Sequence, residues 1–315
     1  MKKNSALFFS LQPGFSRTFF LLFIFYFSLF TSLKAQVFFN YPISNFTPKQ
    51  YGPLQAPQNW SITQNNEGLI YVGNDNGVME YDGSNWGFLP VILGQKVFSV
   101  AVDSNNTLFV GSFGQFGYFE KDKRGSSSYV SLLDKVKKED RIFTNIWRIF
   151  ATKDKVYFQS TEAIFVYDYK TVSVILPESS FHLAMCADGI VYARDRQKGL
   201  VKFIGAKADL VNKSEITAEY GVFALLADNK NKSRLMLVTQ EMGLHWMDKI
   251  SGVLTEINTP DKEFLLKAKI FGGIKLPGNL FALNTEFSGT IVVDENGMIQ
   301  RIIDGQTESV FIKKR

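Results

Sequence analysis

The sequence predicts an all-β protein built from repeated four-stranded sheets. Three observations predict it: short segments rich in Val, Ile, Phe and Tyr, turn residues (Asn, Asp and Gly) between them, and a return of this pattern about every 40 residues. A repeat of about 40 residues that holds four short antiparallel strands is typical of a β-propeller blade. We therefore expect a β-propeller of six blades and the start of a seventh.

The first two repeats carry the strongest signal. They align without a gap from Ser61 to Gly73 and from Ser99 to Gly111, a shift of 38 residues. Glycine suits the turns because it accepts positive φ angles, and Asp and Asn suit them because they bond to their own backbone.

Three markers extend the pattern to four more diverged repeats. The first marker is an aromatic residue ahead of each opening strand: Trp60, Phe98, Trp147, Phe181, Phe223 and Phe271. The second falls at the turn into the third strand: Gly77, Gly117, Ala163, Gly199, Gly243 and Gly289. The third lies five residues later: Asp82, Asp122, Asp168, Ile204, Asp248 and Asp294. The blades are thus expected to start near residues 59, 97, 146, 180, 222 and 270.

The C-terminal residues repeat the opening strand once more. Val310-Phe311-Ile312 resembles Val97-Phe98-Ser99, so an incomplete seventh blade is expected from residue 310, within a propeller that spans 59–315. An open ring would leave blade faces unburied. We expect either that the chain is the N-terminal piece of a longer protein, which we favour, or that Tyr41–Gln58 folds back to complete the ring.

The N-terminus has the three parts of a secretory signal peptide. Basic residues (Lys2, Lys3 and Arg17) precede an apolar run at 19–30, and small residues follow up to Ala35. We expect a signal peptide at 1–35, a lead-in segment at 36–58, and a chain that is periplasmic or secreted after cleavage. The alternative is an uncleaved N-terminal membrane anchor, although the run is short for a bilayer span.

The charge balance argues against nucleic acid as a partner. The chain carries a formal charge of +5, but the first 35 residues hold four basic residues and no acid. The mature chain is therefore close to neutral and lacks the basic patch that nucleic-acid binding requires. We expect a monomer or a weak dimer.

No motif predicts catalysis, a metal or a cofactor. His182 and His245 lie in different repeats without zinc-ligand spacing, and no glycine-rich loop follows a strand and opens a helix. The single cysteine, Cys186, has apolar neighbours that favour a buried, inert thiol. Carboxylate pairs formed between blades are not excluded by the sequence.

The opening strands supply the candidate binding residues. Their aromatic residues either pack between blades, which we favour, or form a stacking platform for a sugar or another planar-faced ligand. The next residue in each strand points to the opposite face, and Arg148 and His182 are the large polar residues at that position. The candidate ligand-binding residues are Trp60, Ser61, Ser99, Trp147, Arg148 and His182.

The segment NWSITQNNEGLIYVGNDNGVMEYDGSNW at 59–86 resembles the two-component-regulator propeller repeats of Bacteroidetes sensor proteins. The lead-in Pro42-Ile43-Ser44-Asn45-Phe46 also resembles the start of that family's sensor region. The resemblance covers roughly residues 36–315 and is weakest in the fourth and fifth blades. It implies a periplasmic propeller that recognises a small-molecule or glycan ligand. It also implies an immunoglobulin-like domain, a membrane helix and a kinase or helix-turn-helix output, none of which this sequence contains.

The sequence is compatible with three functions. The first is a periplasmic ligand-binding sensor module of a signal-transduction or transcription regulator, without its membrane and output parts. The second is a secreted propeller enzyme that acts on polysaccharide, which would place acids, histidines or a metal at the channel mouth. The third is a propeller scaffold that binds another protein and would expose a contiguous apolar patch. We expect the first.

Overall fold

The computed structural model describes residues 44–52, 55–92 and 94–304. These residues form six four-stranded antiparallel sheets, in which the strand order follows the chain from the inner to the outer strand. The fold is therefore the predicted β-propeller. The expected signal peptide at 1–35 and the expected seventh blade from residue 310 lie outside the described residues.

The first three blades contain twelve strands. Blade 1 contains β1 (Asn59–Gln64), β2 (Ile70–Asn74), β3 (Gly77–Tyr81) and β4 (Trp86–Leu89). Blade 2 contains β5 (Val97–Val102), β6 (Leu108–Ser112), β7 (Phe116–Lys121) and β8 (Ser127–Ser131). Blade 3 contains β9 (Arg148–Ala151), β10 (Val156–Gln159), β11 (Ile164–Tyr167) and β12 (Val172–Ile175).

The last three blades repeat this arrangement. Blade 4 contains β13 (Phe181–Ala187), β14 (Ile190–Asp195), β15 (Gly199–Ile204) and β16 (Lys207–Leu210). Blade 5 contains β17 (Val222–Ala227), β18 (Arg234–Thr239), β19 (Leu244–Asp248) and β20 (Leu254–Glu256). Blade 6 contains β21 (Ile270–Leu276), β22 (Leu280–Thr285), β23 (Thr290–Val293) and β24 (Ile299–Ile303).

Helices occur only in short connections within the described residues. They are α1 (Pro48–Tyr51), α2 (Lys262–Ala268) and four 3₁₀ helices at Leu133–Lys135, Lys138–Asp140, Glu215–Ala218 and Pro277–Asn279. Helix α2 buries Leu265 and Ala268 against blades 5 and 6. No helix in the described ranges has the length and hydropathy that crossing a bilayer requires.

The hydrophobic core lies between neighbouring blades. Five clusters join blades 1 and 2, 2 and 3, 3 and 4, 4 and 5, and 5 and 6. One position recurs in all of them: the residue that opens or precedes an inner strand is buried against the preceding blade. These residues are Val97, Ile146, Phe181, Val222 and Ile270.

None of these five clusters joins blade 6 to blade 1. Ile62 of β1 is 70% exposed, although Val100, at the same register position of β5, is 7% exposed and packs against blade 1. On the other side, Ile274 of β21 is 60% exposed, whereas its equivalent Leu226 in β17 is 7% exposed. The facing sides of blades 1 and 6 are thus left open by the described residues.

The lead-in segment covers the outer part of blade 1. The ring of Phe46 lies 5.1 Å from that of Tyr81 and 5.2 Å from that of Trp86, and Tyr51 in α1 lies 6.2 Å from Trp86. The described part of 41–58 forms no strand. It therefore caps blade 1 but does not complete the ring as a further sheet.

Candidate functional site

A central cavity of about 780 Å³ is lined by the inner strands of all six blades. Its volume falls within the range of about 300–1,000 Å³ that is usual for small-molecule sites. Five of the six predicted site residues line it: Trp60, Ser61, Ser99, Trp147 and Arg148. The sixth, His182, is not among the lining residues.

A ring of large side chains surrounds one mouth of the cavity. The inner strands of five blades carry a β-bulge near their first residues, which inserts one extra residue and re-aims its side chain. The residues at this position, with the equivalent residue of blade 3, are Trp60, Phe98, Trp147, His182, Phe223 and Phe271.

The strand register corrects the alignment of the fourth repeat. In blade 4, Phe181 pairs with Asp195 and Ala184 with Ala193, so His182 is the bulged residue. The His182 ring contacts Phe223 edge-on at 5.2 Å, as Trp60 contacts Phe98 at 5.1 Å. His182 is therefore the equivalent of Trp60, and the predicted alignment of Phe181 with Trp60 is wrong by one residue.

Three aromatic rings form a continuous arc over blades 1 to 3. Phe98 lies between Trp60 and Trp147, with both centroids 5.1 Å from its own. Trp60 donates its indole N–H to Asp75 at 2.7 Å, and this bond is the main cause that lowers the pKa of the Asp75 carboxyl. Lys96 holds the other oxygen of Asp75 at 3.0 Å. The arc thus makes ring contacts from blade to blade, while Trp60 and Trp147 also border the cavity.

The two serines turn their hydroxyl groups into the wall of the cavity. Ser99 donates its hydroxyl hydrogen to the carbonyl of Ile146 at 2.8 Å, which ties blade 2 to blade 3. The Ser61 oxygen is buried beside Gly73, at the equivalent position of blade 1. These hydroxyls are therefore less available to a ligand than the sequence pattern suggested.

Arg148 opens β9 and extends into the cavity. Its side chain is solvent-accessible, yet the surrounding protein desolvates the guanidinium and lowers its pKa. No other described residue gives it a hydrogen bond, an ion pair or a ring contact. Arg148 is thus a solvent-accessible cation beside the aromatic arc that no described residue pairs with.

His182 is held as a neutral imidazole. Burial, and then the positive charges of Arg194 and Arg196, lower its pKa to about 4. Its Nδ1 is buried without a hydrogen-bond partner among the described residues. The side chain fills the ring position beside Phe223 rather than the cavity.

The structure adds four polar residues to the predicted wall residues, one of which is Asn284 of β22. Lys275 of β21 lines the cavity, and so do Cys186 and Asp188 at the end of β13. Asp188 forms an ion pair with Lys249. Cys186 is exposed, so the expectation of a buried thiol is wrong, although partial desolvation raises its pKa. Strand alternation alone marks such wall positions, because it puts every second residue of an inner strand on one face.

The wall offers binding groups rather than a set of reacting groups. Asp188 is the single acid among the described lining residues, and its carboxylate is already paired. The described residues contain no group of three or more His, Cys, Asp or Glu side chains that could hold a metal ion. The arrangement can stack a flat ligand face on Trp60 or Trp147 and hydrogen-bond an oxygen through Arg148.

No protein-family model matches the sequence, and neither does any curated protein. Solved structures do match. The extracellular domain of one hybrid two-component system of B. thetaiotaomicron aligns at TM-score 0.58 and 16% identity over 79% of this chain and 33% of that domain. A second such domain from the same organism aligns at TM-score 0.60 and 15% identity over 84% of this chain and 37% of the other.

An enzyme also has this fold. Virginiamycin B lyase from Staphylococcus aureus aligns at TM-score 0.60 and 14% identity, over 81% of this chain and 88% of that protein. The chain thus spans about a third of the length of the B. thetaiotaomicron domains and most of the length of the lyase. At these identities the likeness shows the fold alone, which is the β-propeller that the extracellular sensor domains and the lyase share.

Proposed function

We propose that this chain is the ligand-binding sensor module of an exported signal-transduction protein. The observation that carries the proposal is the central cavity, which joins the aromatic side chains of Trp60 and Trp147 to the unpaired guanidinium of Arg148. A concave site with apolar walls and few polar groups is the usual form of a small-molecule site. The ligand is a small molecule or a glycan, and the module acts in the periplasm.

Two further observations support sensing over catalysis. The described lining residues hold a single acid, which is already paired with Lys249, so no pair of free carboxylates is in place for glycoside hydrolysis. The fold is also that of the extracellular domains of two-component systems, although the lyase has it too. The membrane and output parts of the receptor would be supplied by polypeptide beyond the propeller.

A cavity-filling variant tests the proposal. Gly272 lines the cavity, has no strained φ, and a Cβ built there would find its nearest neighbour, Asn284 Nδ2, at 4.0 Å. The purified chain is screened by thermal shift against neutral, acidic and amino saccharides, and the compounds that bind are measured by calorimetry. Gly272→Trp should weaken their binding at least tenfold by filling the space the ligand needs, a loss of about 1.4 kcal/mol.

The matched control is Gly87→Trp. Gly87 is exposed on β4, far along the blade from the inner strand, and a Cβ there meets only ordinary contacts, Glu80 Oε1 at 3.6 Å being the nearest. Equal affinity of Gly272→Trp and wild type would place binding outside the cavity and reject the proposal. In the native host, Gly272→Trp and not Gly87→Trp should abolish the transcriptional response to the same ligand. Turnover of the ligand by the purified chain would instead favour the enzyme.

A further inference from the structure

We propose that the ligand of the central cavity is a saccharide that carries a carboxylate, and that Arg148 binds this carboxylate. The inference rests on the proposed function and adds the chemical class of the ligand. It depends on three features of the cavity wall: an unpaired arginine, the charge balance of the wall, and the aromatic side chains beside that arginine.

The unpaired state of Arg148 is the first step. Arg148 lines the cavity and stays accessible to solvent, so its guanidinium can exchange water for a ligand. Partial desolvation by the cavity wall lowers its pKa, and no carboxylate or carbonyl of a described residue binds it. A ligand can therefore supply the acceptor, and a carboxylate matches the guanidinium fork with two parallel hydrogen bonds.

The charge balance of the wall is the second step. Lys275 also lines the cavity, and no described residue pairs with it. The single acid of the wall, Asp188, is neutralised by Lys249, and the neighbouring His182 stays neutral above about pH 4. The field inside the cavity is therefore positive, although the mature chain is nearly neutral overall, and it favours an anion.

The aromatic side chains are the third step. Trp147 directly precedes Arg148 in the chain, and both line the cavity with Trp60. Tryptophan presents a large apolar face at low entropic cost, which suits the C–H face of a sugar ring. Lys275 lies three residues beyond the register position that Arg148 occupies in blade 3, or about 10 Å further along the channel. A ligand of more than one sugar ring can thus reach both cations.

The test compares an acidic saccharide with its neutral ester of nearly the same shape. The probes are short oligogalacturonates and their methyl esters, measured by calorimetry on the purified chain at low and at 0.15 M salt. The wild-type chain should bind the acid at least tenfold more tightly than the ester. Arg148→Gln should weaken the acid roughly tenfold to a hundredfold, as expected for hydrogen bonds to a charged group, and weaken the neutral ester much less.

Two more variants separate geometry from charge. Arg148→Lys keeps the charge but loses the fork, so it should restore only part of the affinity. Arg124→Gln removes an exposed arginine from the turn between β7 and β8 and should change nothing, which controls for net charge. Because Arg148 makes no bond to another described residue, Arg148→Gln should fold and melt like the wild type.

The outcomes separate this inference from the proposed function. Equal affinity for acid and ester, or no binding of either, would overturn the carboxylate inference. Arg148→Gln weakening acid and ester alike would also overturn it. The proposed function would survive each of these results if another saccharide still bound and Gly272→Trp still blocked it. Binding that Gly272→Trp does not affect would instead reject the proposed function itself.

Discussion

At the scale of single residues, His182 is the exception in the ring at the cavity mouth. Five of the six ring positions hold Trp or Phe, and the sixth holds an imidazole whose Nδ1 is buried without a partner. Burial lowers its pKa to about 4, so the folded protein keeps it neutral between pH 4 and 6.5 while the unfolded chain takes up a proton. Its contribution to stability is complete above pH 6.5 and is lost as the pH falls towards 4.

We therefore expect His182→Phe to stabilise the protein and to flatten this acid loss. Between pH 7 and pH 4 the wild type should lose on the order of 2 kcal/mol more of its unfolding free energy than the variant. Urea unfolding at several pH values measures the difference. His245→Gln is the comparison, because it removes the other imidazole and keeps the His182 contribution. Parallel pH curves for wild type and His182→Phe would contradict the assignment.

The position of His182 shows which features of the fold the sequence predicted and which it did not. The number of repeats and the ring of aromatic residues were predicted from the spacing and the type of the marker residues, which remain recognisable in the diverged repeats. The alignment of the fourth repeat was wrong because Phe181 and His182 are adjacent, and the pattern selected the aromatic one. Only the backbone pairing, Phe181 with Asp195 and Ala184 with Ala193, locates the bulge. Pairing of the wall charges depends on contacts between blades, such as Asp188 with Lys249, that no local pattern encodes.

At the scale of elements, some strand positions require glycine because the neighbouring blade lies too close to leave room for a Cβ. Gly111 of β6 has an ordinary φ, but a Cβ there would lie 2.4 Å from Ile146 Cγ2 and 2.6 Å from Ser99 Oγ. Both neighbours are buried and hydrogen-bonded to each other across blades 2 and 3. We therefore expect Gly111→Ala to cost about 1–3 kcal/mol through overpacking. Urea unfolding measures it.

Gly87→Ala is the matched control for that change. It adds the same methyl group to an exposed strand position and should alter stability by less than about 0.5 kcal/mol. A Gly111→Ala variant as stable as the control would mean that blades 2 and 3 separate more easily than their packing implies. The sequence aligned Gly111 with Gly73, but it could not show that Gly111 has no room for a Cβ. The residue that would clash, Ile146, belongs to the segment that leads into the next blade. Helix α2 was not predicted from the sequence, because its seven residues are too few to show a helical period in hydrophobicity.

At the scale of the whole molecule, the described blades bury five interfaces and leave the sides of blades 1 and 6 uncovered. The sequence of β1 is consistent with an uncovered side of blade 1. Asn59 stands at the position where the other five blades have a buried apolar residue packed against the blade before it, and Asn59 is exposed. Terminal repeats of repeat proteins commonly have more polar outer faces, since no neighbour packs on them. The uncovered side of blade 1 is polar at Asn59 and Gln64 but apolar at Ile62, so it has only part of the polar character of a terminal repeat.

The open side of blade 1 is tested by introducing threonine at two equivalent positions. Val100→Thr buries a hydroxyl in the interface of blades 1 and 2 and should cost about 1–3 kcal/mol. Ile62→Thr keeps a β-branched residue in the strand at a site that is 70% exposed, so it should cost less than about 0.5 kcal/mol. Urea unfolding of the full chain measures both. A similar cost at both positions would mean that further polypeptide covers Ile62 in solution, and the ring would then hold more than the six blades described.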